Sequence, residues 1–319
     1  MDLWSLSDLC TPWCVHVVAT LRIANHIADG KTEIGQLASA SGADRDSLHR
    51  VLRHLVGKGV FLEPAPGQFA LNDVVRGLLE DTFLDLEGIG GRMAHAWGTL
   101  LSAVRTGRPA YHEVFGRGFW DDLAANPSVS ASFDALMGPG HGVPDPQVLA
   151  DPADWSSIRT VVDVGGGTGS LLAEVLRAHP QVLGKLVDLP HTVARSCEVF
   201  RAAGVADRAT AVGQSFFDPL PAGADLYILK SVLDDWPDHE ATAILRRCAE
   251  AARPSGRVVA FNNAGPGEEA SPALLMLVLV GGRERTLDEF REMAHEAGLQ
   301  VKALGRQASG RRFIECRPS

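Results

Sequence analysis

The chain has 319 residues, 45% of them hydrophobic and 22% charged, with 30 Lys and Arg against 39 Asp and Glu for a net charge of -9. That length holds two domains, and the composition is that of a globular protein with a packed core. The acidic balance argues against a general nucleic-acid binder, whose affinity rests on basic side chains displacing counterions from phosphates.

Asp8 to Asp29 carries Val15, Val18, Leu21, Ile23 and Ile27 at helical spacing and reads as a buried helix. Thr32 to Gly42 is a short helix closed by its glycine. Asp44 caps a further helix, Arg45 to Lys58, with Leu48, Val51, Leu52 and Leu55 on one face. Two short strands around a Pro/Gly turn follow, at Gly59–Glu63 and Gln68–Asn72. Helix, helix, hairpin is a winged-helix pattern, and Arg45, Arg50, Arg53 and Lys58 lie on its candidate recognition helix. Acids nevertheless outnumber bases by about two across the first 80 residues, so the segment lacks a basic footprint and reads as a dimerisation domain.

From Glu80 to about Met137 the pattern is helical again, with Met93, Trp97, Tyr111, Phe115, Trp120, Phe133 and Met137 spaced along it. Such a stripe serves as core or as the wall of an apolar pocket. Met93, Trp97, Phe133 and Met137, with Met276 further on, are the candidate pocket residues, and His95 and His141 the polar groups within reach. Gly138 to Pro146 is rich in Gly and Pro and marks a boundary. Beyond Trp155 short apolar runs (Thr160–Val164, Gly184–Leu189, Ala209–Val212, Asp225–Lys230, Arg257–Phe261) alternate with helical segments (Leu171–Ala178, Thr192–Ala203, His239–Ala252, Thr286–Ala297), and the tail gives two more strands. This predicts an α/β fold, a doubly wound, largely parallel sheet of Rossmann-like type behind an N-terminal, mostly helical region. The domain reading is 1–80, a helical linker and pocket region at 81–150, and a cofactor domain at 151–319.

Cys10, Cys14, Cys197, Cys248 and Cys316 are odd in number and show no CxxC spacing, which reads as free thiols in a reducing cytoplasm. Cys10 and Cys14 lie one helical turn apart, yet two thiols alone do not close a tetrahedral metal site, so no metal is expected. The longest apolar runs, such as Ala273–Val280, fall short of the roughly 20 residues of a membrane span, and a cytoplasmic protein is expected.

In Asp163-Val-Gly-Gly-Gly-Thr-Gly169 a strand runs into a glycine loop and then a helix. Glycines let the backbone approach a ligand with no Cβ between. The dinucleotide fingerprint GxGxxG, counted from Gly165, would need glycine at Ser170. Asp188, ending the next strand, is placed to accept the hydroxyls of a ribose. Asp163 repels a pyrophosphate but suits the ammonium group of an amino-acid-bearing nucleoside, which selects S-adenosylmethionine (SAM) over NAD.

With these residues the chain resembles the small-molecule O-methyltransferases of class I whose bacterial members tailor aromatic polyketides and other natural products. The resemblance runs from Leu6–Pro12 through Arg105–Ala110, Ser132–Met137, Val161–Gly169, Val187–Pro190, Phe216–Pro221, Leu233–Trp236 and Gly281–Thr286. It implies that Gly165 and Gly167 pack against the methionine part of SAM and that Asp188 holds the ribose. It also implies that Ser215 and Phe216 border the adenine with Trp236 nearby, that Lys230 precedes the catalytic helix, and that the chain is a homodimer acting on a small-molecule acceptor. The best-known members read Leu-His-Asp-Trp, the His removing the acceptor's proton; this chain reads Leu233-Asp234-Asp235-Trp236, with Asn262 at the position of the Glu that orients that His. Asp234, Asp235 and His141 are therefore the candidate catalytic residues. Two outcomes stay open: methyl transfer to a natural-product intermediate without the usual His, or non-methylating chemistry (hydroxylation, decarboxylation or cyclisation) with SAM as an electrostatic aid. A DNA-binding regulator is disfavoured by the charge.

Overall fold

A computed structural model of the protein describes residues 3, 7–80, 83–137, 155–262, 270–306 and 312–319. His141 lies outside the described residues, as does the whole Gly/Pro-rich boundary segment, residues 138–146. The chain forms two compact units, Met1–His95 with Pro127–Phe133, and Ala96–Asn126 with Asp134–Ser319.

In the first unit the expected Asp8–Asp29 helix is two helices, α1 (Thr11–Thr20) and α2 (Ile23–Ala28), broken where Arg22 takes a left-handed φ of 53°. The break turns Val18, Ile23 and Ile27 into one core instead of along one straight face. α3 (Ile34–Ser41) opens with a capping box between Glu33 and Gln36 and closes at Gly42. α4 (Arg45–Gly57) starts at Asp44, whose carboxylate accepts from the Ser47 backbone at 2.9 Å, and buries Leu48, Leu52 and Leu55. A short antiparallel hairpin, β1 (Leu62–Ala65) and β2 (Gln68–Ala70), covers the core through Phe69. Three cations of the recognition-helix position meet acids within this unit: Arg50 pairs with Asp46 and Lys58 with Asp8, each at 2.6 Å, while Arg53 stands 3.9 Å from Glu63. α5 (Ile89–Ala96) follows.

The second unit begins with short helices α6 (Leu100–Thr106), α7 (His112–Phe115) and α8 (Phe119–Ala125), steadied by the buried Tyr111 hydroxyl, which donates to Asp122 at 2.8 Å. α9 (Pro127–Met137), whose first seven residues belong to the first unit, precedes the boundary segment. The sheet then comprises β3 (Thr160–Val164), β4 (Leu183–Asp188), β5 (Ala209–Gly213), β6 (Leu226–Lys230), β7 (Arg257–Asn262), β8 (Leu299–Arg306) and β9 (Arg312–Pro318), in spatial order β5-β4-β3-β6-β7-β9-β8. All pairings are parallel except those of β9 with β7 and β8. Successive strand residues point to opposite faces. Val161 and Ile228 thus join Leu172 and Leu176 of α10 (Ser170–Ala178), whereas Val162 and Leu229 join Ile244 and Leu245 of the long helix Asp238–Ala252. The chain leaves β3 first toward β4 and later returns to its other side with β6. That reversal opens a crevice at the carboxyl end of β3, where ligands of such sheets bind.

The sequence reading missed one helix, Ala270–Leu279. It is apolar on all sides and so shows no periodicity to detect. No helix among the described residues is long and apolar enough to cross a membrane.

Candidate cofactor and acceptor site

β3 delivers the glycine loop to this crevice. Gly165 donates to the Val187 carbonyl at 2.8 Å, and Gly165 and Gly167 take φ values of 69° and 62° that disfavour any other residue. A side chain at Gly165 would press on Val232 at 2.8 Å and on Phe216 at 3.4 Å, and one at Gly166 would collide with the Asp163 carboxylate. Over Gly167, by contrast, an added Cβ meets no atom of the described residues within 4 Å, so that side of the loop accepts a ligand against bare backbone.

Two carboxylates flank the loop. Asp188 Oδ2 accepts from the Gly167 backbone at 2.8 Å and Oδ1 from Leu189 at 2.7 Å, which fixes the carboxylate at the loop's edge and leaves each oxygen a second lone pair. Burial raises its pKa. Asp163 is 1% exposed, and the Leu172 backbone amide gives its carboxylate only weak hydrogen-bonding support. Burial pushes its pKa up to about 7, against the pull of Lys230 and with help from the Asp188 charge. A buried acid with so little hydrogen-bonding support is costly, and a cationic ligand group nearby would offset that cost. The donor set, two carboxylates beside an open glycine bend, fits a nucleoside that carries an ammonium and a sulfonium.

The far wall is aromatic. Phe216 lies over Gly165, and Trp236 meets Phe216 edge-on at 5.8 Å and Phe217 at 5.0 Å, while Trp120 stacks on Trp236 at 6.2 Å. Ser215 turns its hydroxyl inward to accept from the Phe217 backbone at 3.2 Å. Phe217 and Trp120 were not singled out for the site from sequence, because their approach comes from α8 and a loop far apart in the chain.

After β6 the backbone twists through Ser231, at a left-handed φ of 54°, into the one-turn helix Leu233–Asp235. Asp234 is buried and Asp235 half-buried. Burial, and then the adjacent Asp234 charge, pushes Asp235 well above the usual carboxylate range. This turn is clamped by Arg285, which sequence reasoning noted only inside a motif. Its guanidinium donates to the Leu233 and Trp236 carbonyls, each at 2.7 Å, and to Asp238 at 3.0 Å.

The expected pocket residues fall in different units. Met93 is buried and Phe133 half-buried in the first. Trp97, Met137 and Met276 belong to the second, where the helix bearing Met276 packs against the Trp97–Thr99 turn. His95 packs on Trp13 at 5.0 Å within the first unit.

Residues 97–300 match the O-methyltransferase domain family. The chain belongs to that family. A 2,7-dihydroxy-5-methyl-1-naphthoate 7-O-methyltransferase of Streptomyces carzinostaticus is 44% identical over 95% of this chain and 93% of its own. Aclacinomycin 10-hydroxylase of Streptomyces purpurascens is 38% identical over 93% and 83%. Among solved structures, an O-methyltransferase from neocarzinostatin biosynthesis, in complex with S-adenosylmethionine and 2-hydroxy-5-methyl naphthoic acid, superposes with a TM-score of 0.94 at 42% identity, covering 100% of this chain and 99% of that one. This O-methyltransferase is SAM-dependent and acts on a small-molecule acceptor.

Proposed function

We propose that the protein methylates a phenolic hydroxyl of a bicyclic aromatic acid in natural-product biosynthesis, with Asp234 in place of the usual histidine. The observation that carries this reading is the likeness along the whole chain to a structure holding SAM together with a hydroxynaphthoic acid. When bound, SAM supplies an electrophilic methyl group on a sulfonium. Asp188 holds the sugar hydroxyls, Asp163 faces the ammonium end, Phe216 and Ser215 border the base, and Gly165 and Gly167 let the amino-acid portion lie on backbone. Lys230 sets the charge balance of Asp163 at the end of β6.

Asp234 accepts the hydrogen bond of the acceptor hydroxyl and aims its oxygen. Burial, and then the neighbouring Asp234 charge, favours the protonated form of the half-buried Asp235, which lessens repulsion within the turn. An ordinary carboxylate lies about six pKa units below a phenol, which makes full proton removal by Asp234 uphill by roughly 8 kcal/mol. A general base contributes only ~10²–10⁴-fold, whereas alignment of two held reactants contributes an effective molarity of ~10⁵ M or more. Orientation therefore supplies most of the rate, and acidic phenols are the preferred acceptors. His141 is the alternative base.

The test is incubation with SAM and hydroxynaphthoic acids, following S-adenosylhomocysteine and product by mass spectrometry. One S-adenosylhomocysteine per methylated product is expected. Turnover that requires SAM and leaves it intact would replace this reading with the second one, non-methylating chemistry, which the 38% identity to a hydroxylase favours.

The active form we infer is a homodimer, supported by Leu101 and Val104, exposed on one face of α6. Light scattering that gives the mass of a single chain at micromolar concentration would refute it.

A further inference from the structure

Outside the cofactor crevice, the first unit gathers three metal-binding side chains that the methyl-transfer chemistry does not use. Cys10, capping α1, and Cys14, one turn further, set their sulfurs 3.6 Å apart. α4 brings His54 to the same point, and one ligand atom from each of the three lies within 4.8 Å of the other two. In a tetrahedral zinc site, bonds of about 2.3 Å to sulfur and about 2.0 Å to nitrogen put ligand atoms roughly 3.5–3.8 Å apart. The two sulfurs already stand at that spacing, and closing the remaining gap needs a side-chain shift of about 1 Å.

We propose that Cys10, Cys14 and His54 form a zinc(II) site at the rim of the first unit's core, open to solvent on the Cys10 side, with the fourth position taken by water. Two thiolates and an imidazole are a donor set that suits zinc. Binding forms two Zn–S bonds and one Zn–N bond, and it releases the two thiol protons to solvent; the metal stays Zn(II) and nothing is oxidised. The surroundings support the histidine. Thr11 Oγ1 lies 2.8 Å from His54 Nε2 and donates to Asp8 at 2.7 Å, so the imidazole is tethered through a hydroxyl to a carboxylate. Outer partners of this kind orient ligating histidines. Asp8 in turn is held by Lys58 at 2.6 Å and by the Cys10 and Thr11 backbone amides at 2.9 and 3.0 Å. The metal thus ties the start of α1 to the last turn of α4, adding to the Thr11–His54 hydrogen bond and the Asp8–Lys58 ion pair already present there.

The test uses the full-length protein carrying Cys197→Ser, which removes the other exposed cysteine, reduced and then loaded with zinc chloride. Metal content after desalting is read by atomic emission, affinity by competition with a chromophoric chelator, and site chemistry by the thiolate-to-metal absorption of the cobalt(II) form. We expect one zinc per chain and a higher thermal midpoint. In Cys10→Ser and in His54→Gln we expect affinity to fall by about 10–100-fold or more, with circular dichroism and methyl transfer unchanged. His54→Gln keeps a hydrogen bond to Thr11 and so separates ligation from packing. Sub-stoichiometric zinc in the reduced protein would overturn the proposal, as would equal zinc content in parent and variants. Disulfide formation on mild oxidation in a reduced protein that takes up no zinc would overturn it too, and would assign the pair to redox chemistry.

Discussion

Arg285 Nη1 donates to the carbonyl of Leu233 at 2.7 Å, across 52 positions of sequence, with its side chain only 1% exposed. The same guanidinium reaches the Trp236 carbonyl, so both ends of the turn bearing Asp234 and Asp235 hang on one planar fork. A lysine ammonium has no such fork. Arg285→Lys is therefore expected to lower kcat by at least about tenfold while SAM affinity stays within about threefold. Removal of the charge partner in Arg285→Ala should cost roughly 3 kcal/mol or more of stability, from the buried groups left unpaired. Urea unfolding and isothermal titration check the two arms; a stability loss below about 1 kcal/mol would show the clamp to be ornamental.

Gly282 sits against the backbone of Asp234 and Asp235, where a Cβ has no room. Gly282→Ala must displace this turn, so that kcat falls by about tenfold or more. At Gly167, where no atom of the described residues lies within 4 Å of an added Cβ, the obstacle to alanine is the left-handed φ, worth about 1–2 kcal/mol. Steady-state kinetics and thermal melts of the two variants give the comparison. Equal turnover in Gly282→Ala and wild type would contradict the close packing.

Asp163 has its pKa raised from 3.8 to about 7. The ionised form is the one that attracts an ammonium group, so SAM affinity should rise as pH increases toward about 7 and level off above it. Below that value the increase is up to about tenfold per pH unit for one linked proton. The sign is opposite for the ligand-free fold. A raised acid contributes its stability below its unfolded value, and that contribution is lost as pH climbs through about 7. Titration calorimetry and melts from pH 5 to 8 should show the two trends crossing, and Asp163→Asn should flatten both. A pH-independent affinity in the wild type would remove Asp163 from the ligand's neighbourhood.

For the turn itself, Asp234→Asn is expected to lower kcat/KM on a naphthol acceptor by ~10²-fold, with no change in SAM affinity. Asp235→Asn should instead leave turnover near wild type and lessen the destabilisation on raising the pH. The raised Asp235 carboxyl contributes stability only while protonated. A pH–rate profile unaltered by Asp234→Asn would exclude that residue as a base and leave it an orienting role alone.

The α/β alternation, the glycine bend after β3, the acid ending β4 and the helix caps at Asp44 and Gly42 were all legible in the chain. Each is a local matter of periodicity, backbone freedom or hydrogen-bonding between residues a few positions apart. The placing of Asp188 at the edge of the glycine bend was legible too, since β3 and β4 pair in parallel and the acid ends β4 where the bend leaves β3. What the letters alone left undecided depends on contacts between distant segments. The break of the first helix at Arg22 follows from the core that Val18 and Ile27 share, and the helix at Ala270–Leu279 hides because every face of it is apolar. The approach of Trp120 to Trp236, the grip of Arg285 on Leu233, and the arrival of His54 beside Cys10 and Cys14 each join residues from separate elements. No spacing rule encodes such meetings, because packing sets them only once the helices and strands have found their partners.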